Sequence, residues 1–152
     1  MKRIGLLIML FIMSLVTVAC GGDNVSEGET VNGLKPSDIP VKYTQDVIQN
    51  DGDGMNNLLA KKTKFYPNAM PPKNNIELQN YQLTEWKFDD DTYYYLIEYI
   101  DPRDNLVHKE DFRVIRTQDG WKKDSYGDTP SFEEIVSKLE KNKKVLRELN
   151  AK

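Results

Sequence analysis

An unbroken apolar run opens the chain, sixteen uncharged residues from Ile4 to Ala19 behind Lys2 and Arg3. The rhythm then turns helical. Val41, Val47, Ile48 and then Leu58, Leu59 lie on helical spacings, interrupted by Asp51-Gly52-Asp53-Gly54. That pattern predicts two helices separated by a turn, the first starting where Ser37 or Asp38 can cap it. Pro67, Pro71 and Pro72 predict a loop. From Ile76 the period shortens to two: Ile76, Leu78, then Tyr81, Leu83, with Trp86 and Phe88 on one face. Thr92–Ile100 is nearly all aromatic or branched and predicts a central strand buried on both faces. Leu106–Arg116 predicts a third strand, with Phe112 and Val114 in alternation, and Asp119-Gly120 a hairpin into Trp121–Tyr126. Four strands joined by tight turns pair antiparallel. Last, Ser131 and Glu134 form a capping-box pattern, and Phe132, Ile135, Val136 and Leu139 make one apolar stripe. The stripe lapses at Asn142 and Lys143 before Val145, Leu146 and Leu149, so this helix is expected to dock by its first half and project by its second.

The expected class is α+β: N-terminal helices packed on a curved four-stranded antiparallel meander, plus a C-terminal helix. The expected divisions are a signal peptide at 1–19, a flexible tether at 20–36, a folded domain at 37–127 and an amphipathic helix at 128–152. Charge sharpens this picture. Residues 1–19 carry 14 hydrophobic side chains and two basic ones, which leaves the other 133 residues with 19 basic and 24 acidic side chains and a net charge of −5. That balance gives a nucleic-acid groove no electrostatic support. The remainder is polar enough for one modest core and too polar for a membrane bundle. A single Cys excludes an intrachain disulfide.

Val16-Thr17-Val18-Ala19-Cys20 resembles the lipobox of bacterial lipoproteins, with Thr17 where Leu is commoner. The resemblance implies lipid transfer to the Cys20 thiol, cleavage after Ala19, and anchoring at the outer face of the cell membrane. Two or three acyl chains on one residue suffice for stable anchoring. Gly21-Gly22 follows without an acidic sorting residue, the pattern of a Gram-positive envelope. Residues 21–36 hold only Val25, Val31 and Leu34 as branched aliphatics, which suits a tether.

The helix break at Asn50–Leu59 and the Asp-Gly-Trp hairpin of Phe112–Tyr126 resemble the NTF2-like or cystatin-like cone folds. The resemblance covers about residues 37–127 and implies an architecture; the fold hosts enzymes, binders and assembly subunits alike.

Candidate chemistry is sparse. Aligning Gly54 with the required glycine of a calcium loop leaves Ala60 where a bidentate Glu is needed, so Asp51–Gly54 reads as a helix-breaking turn. Asp89-Asp90-Asp91 reads as an acidic turn, its side chains diverging. His108 is the only imidazole, which excludes a two-histidine zinc site, and beside Lys109, Glu110 and Asp111 it reads as solvent-facing. Neither a catalytic residue nor a metal site nor a cofactor is assigned. The Tyr-rich strand carries the functional expectation: Tyr93, Tyr95, Ile97 and Tyr99 share one face, and Tyr93, Tyr95 and Tyr99 make a candidate binding surface. The alternative use of such tyrosines is core packing. Glu98, Asp111 or Asp124 beside a strand Tyr would imitate the acid–phenol pairs of enzymes with this fold. Lys138, Lys141, Lys143, Lys144 and Arg147 make the last helix basic, tempered by Glu133, Glu134, Glu140 and Glu148.

The expected function is that of a non-enzymatic lipoprotein, bound to the membrane through lipid on Cys20, that engages an envelope protein and no nucleic acid. The alternative is a small-molecule carrier or enzyme working in the cone cavity.

Overall fold

The computed structural model describes residues 28–64 and 70–150. The signal peptide, Cys20 and the first part of the tether lie outside the described residues, as does Pro67. The class is α+β, with a five-stranded antiparallel sheet and a few short helices.

Helix α1 spans Asp38–Gln49 and buries Ile39, Tyr43 and Ile48 on one stripe. Its N-cap, Ser37, makes no side-chain cap; the Asp38 carboxylate accepts from the Lys35 N–H instead, at 2.8 Å. Asn50 ends it in the left-handed region (φ 58), and the Asp51 N–H reaches back to the Asp46 carbonyl at 2.8 Å. Asp51 then caps α2 (Gly52–Asn57) by accepting from the Gly54 N–H at 2.9 Å. The helix break therefore sits at Asn50-Asp51, and Gly52-Asp53-Gly54 forms the first turn of α2. A Cβ on Gly54 would stand 2.7 Å from the Asp46 carboxyl carbon, so glycine permits the close approach of the two helices.

The strands are β1 (Tyr81–Lys87), β2 (Thr92–Ile100), β3 (Val107–Thr117), β4 (Gly120–Lys123) and β5 (Lys143–Arg147), in the order β4-β3-β2-β1-β5. Central β2 faces Tyr93, Tyr95, Ile97 and Tyr99 onto α1 and α2, joined by Phe112, Val114 and Trp121 from its neighbours. The opposite face carries a smaller cluster, Trp86 and Tyr94 beneath Phe132 and Val136 of α3 (Phe132–Lys138). So β2 is sealed on its inner face along its length and covered on its outer face mainly at the Tyr94 end.

Four expectations are corrected. The C-terminal segment is not one helix: α3 stops at Lys138, a 3-10 turn follows at Glu140–Asn142, and Lys143–Arg147 is a strand on β1. That pairing satisfies the outer edge of β1, which would otherwise present unpaired peptide groups to water. The capping box does not form either, because Ser131 is left-handed (φ 57) and Glu134 pairs with Lys138 at 2.6 Å. The tether is not free as far as Pro36. Residues 28–36 lie against the β3–β4 hairpin, where the Trp121 indole N–H donates to the Glu29 carbonyl at 2.7 Å and Arg116 pairs with Glu29 at 3.0 Å. Ile76 and Leu78, read as the start of a strand, instead strap across α1. The Gln45 side chain bridges the Leu78 N–H and the Ile76 carbonyl, each at 2.7 Å.

Candidate functional site

Tyr93, Tyr95 and Tyr99 are 2%, 0% and 2% exposed, which places the proposed binding surface in the core. Their rings pack where α1 and α2 cover the sheet: Tyr93 stacks on Tyr95 at 6.2 Å and meets Trp121 edge-on at 5.6 Å. The phenols of Tyr95 and Tyr99 turn to buried or half-buried acids. Tyr95 donates to Glu85 at 2.6 Å, and Tyr99 donates to Glu110 at 3.0 Å. The Tyr94 ring lies on the other face, against Phe132.

The acids singled out beside the strand are placed elsewhere. Glu98 pairs with Lys109 at 2.5 Å, and Asp124 holds both Lys61 and Arg113, at 3.1 and 3.3 Å. One Asp111 carboxylate oxygen accepts from the Thr129 N–H at 2.6 Å. Among the other candidates, Asp51 caps α2 and binds Lys73, and Asp89, Asp90 and Asp91 diverge, Asp90 to Lys87 at 2.7 Å and Asp91 toward Arg116 at 3.7 Å. His108 is not simply solvated: its ring stacks on Tyr99 at 5.6 Å, and Nε2 lies 2.9 Å from the Asp104 carboxylate. Asp101, Asp104 and His108 thus converge, but Arg103 forks onto both oxygens of Asp101.

The site that the geometry does build lies where the inner face of β3 and β4 emerges from under the helices. A pocket of about 270 Å³ opens there between Tyr43 of α1, Glu110 of β3, Lys123 of β4, and Tyr126 and Asp128 of the following loop. Alternation puts both charged groups inside: Glu110 is two residues from Phe112, and Lys123 two from Trp121. Lys123 is 4% exposed. Its ammonium donates to the Asp111 carbonyl at 3.0 Å and lies 4.1 Å from the Phe112 ring centre and 5.4 Å from that of Tyr43. Burial holds this lysine's pKa below the usual range, opposed by the charges of Glu110, Asp111 and Asp128. Burial likewise pushes the Glu110 carboxyl up, against the Tyr99 hydrogen bond and the Lys123 charge. The phenols of Tyr43 and Tyr99 are raised by burial and then by Glu110, so both are protonated donors at neutral pH.

Sequence reasoning missed Glu110 and Lys123, although the strand period points at both. Compared with known proteins, the chain matches no family model, no curated protein and no solved structure.

Proposed function

We propose that this chain is a lipid-anchored extracytoplasmic binding module, held at the outer face of the membrane by Cys20 and acting in an envelope complex without catalysis. Its recognition site is the Glu110–Lys123 pocket rather than the tyrosine strand. The observation that carries this reading is the pocket itself: an acid held by Tyr99 and an amine held by the Asp111 carbonyl face an open space that two further tyrosines line. Sealed tyrosines leave the strand nothing to present. The lipobox-like segment supports the anchor, and residues 28–36, fastened to the β3–β4 hairpin, would join that anchor directly to the domain.

The same reading treats the domain as an NTF2-like or cystatin-like cone. Two helices preceding the strands, and a pocket between α1 and the sheet, support it; β5 is an addition to that plan. A second reading, docking of an envelope protein, is favoured by a groove of about 440 Å³ on the outer face between α3 and β5, floored by Trp86 and Leu96.

Fractionation of cells fed an alkyne fatty acid tests the anchor. The wild-type chain should be labelled and sediment with membranes, and Cys20→Ser should be unlabelled and released. Retention of Cys20→Ser in the membrane would contradict the lipid anchor.

A further inference from the structure

Glu110 and Lys123 face one pocket without forming a direct ion pair. Opposite charges this well removed from water ordinarily close on each other, because their attraction offsets desolvation only at contact. Here each is held back by a different partner. Tyr99 fixes one oxygen of Glu110, and the Asp111 carbonyl and the Phe112 ring fix the Lys123 ammonium. The second Glu110 oxygen accepts no hydrogen bond among the described residues, and one bond leaves two Lys123 protons available. Between them lies space rather than side chain, rimmed by Tyr43, Tyr126 and Asp128.

We propose that this gap binds a small zwitterion, of the size and charge pattern of a free amino acid, with its ammonium on Glu110 and its carboxylate on Lys123. The volume, about 270 Å³, lies just below the roughly 300–1,000 Å³ of pockets that hold drug-sized ligands. A ligand of one charge would satisfy one wall and leave the other buried and unpaired. A zwitterion completes both. Asp128 and the Tyr126 ring at the rim favour the ammonium end.

The assignment rests on the reading of this pocket as the recognition site. Calorimetric titration of the full chain in detergent micelles tests it, with a panel of small α- and β-amino acids, ethylamine and propionate as probes. At least one amino acid should bind saturably at one site per chain, with ethylamine and propionate each weaker by about tenfold or more. Glu110→Gln should weaken the amino acid by a similar factor while its thermal unfolding stays cooperative. The comparison of whole and half ligands needs no variant, so it decides the matter even if Glu110→Gln fails to fold. Propionate or ethylamine binding as tightly as every amino acid would overturn the zwitterion and leave the pocket standing. Amino-acid binding unmoved by Glu110→Gln in a folded variant would overturn the pocket as well. No saturable binding by any probe would also overturn the proposal.

Discussion

Asp46 shows how one side chain ties stability to pH. It sits in the last turn of α1, pressed against Gly54, and burial raises its carboxyl pKa to about 6, with the charge of Asp51 adding and Lys73 and Lys42 opposing. A carboxyl whose pKa is higher folded than unfolded stabilises most below the unfolded value, near 3.9. That contribution is lost as pH rises through about 6. Asp46→Asn should therefore raise the melting temperature at pH 7.5 and give no gain at pH 3.5; thermal melts at the two pH values check it. The tyrosines make a second case. Tyr95→Phe removes the 2.6 Å bond to buried Glu85 and should cost about 1–3 kcal/mol in denaturant unfolding. Tyr95→Ser empties a core position and should cost about 3–5 kcal/mol. The alternation that placed Tyr93, Tyr95 and Tyr99 on one face was legible in the sequence; which face the helices cover was not, because a strand this aromatic suits either side. Glu110 and Lys123 fell outside the reading for a related reason. A charged residue in a strand is usually solvated, and the pocket that hosts these two exists only once α1 is docked.

At the level of elements, the first helix and the alternating strands could be read from periodicity, and the C-terminal segment could not. Phe132 to Leu139 keeps helical spacing, and Lys143 to Arg147 retains good helix formers, so local preference continues the helix. What overrides it is nonlocal: the free edge of β1, 60 residues earlier, recruits the segment as β5. The lapse at Asn142-Lys143 was the one local sign of the switch. A chain ending at Asn142 should lose the cover that Leu146 gives the core and expose the β1 edge, at a cost of at least about 2 kcal/mol in urea unfolding. An unchanged midpoint would mean that β5 does not pair. The polar composition of the stretch at 28–36 suits a tether. Its docking comes from a few specific contacts, among them a Gly28–Pro36 approach so close that an added Cβ would lie 2.0 Å from the proline ring. Gly28→Ala should loosen the segment and red-shift the Trp121 emission, as the indole loses Glu29.

For the whole molecule, the proposed reading is an anchored recognition domain. The proposed anchor, Cys20, lies eight residues before Gly28, where the chain is already fastened to the domain. The domain would thus stand close to the bilayer rather than on a long leash. Its inner core is sealed by helices and aromatic rings, and a strongly charged recess lies at the end of β3 and β4, with the Tyr126 ring exposed at the entrance. The most direct test is a photoreactive residue in place of Tyr126 in the full-length chain, irradiated in intact cells and read by mass spectrometry, with Phe88, exposed at the β1–β2 turn, as the control position. A discrete adduct at Tyr126, absent at Phe88 and lost with Glu110→Gln, is the predicted result. Equal capture at Phe88, or an adduct at Tyr126 indifferent to Glu110, would contradict the pocket as the site of function.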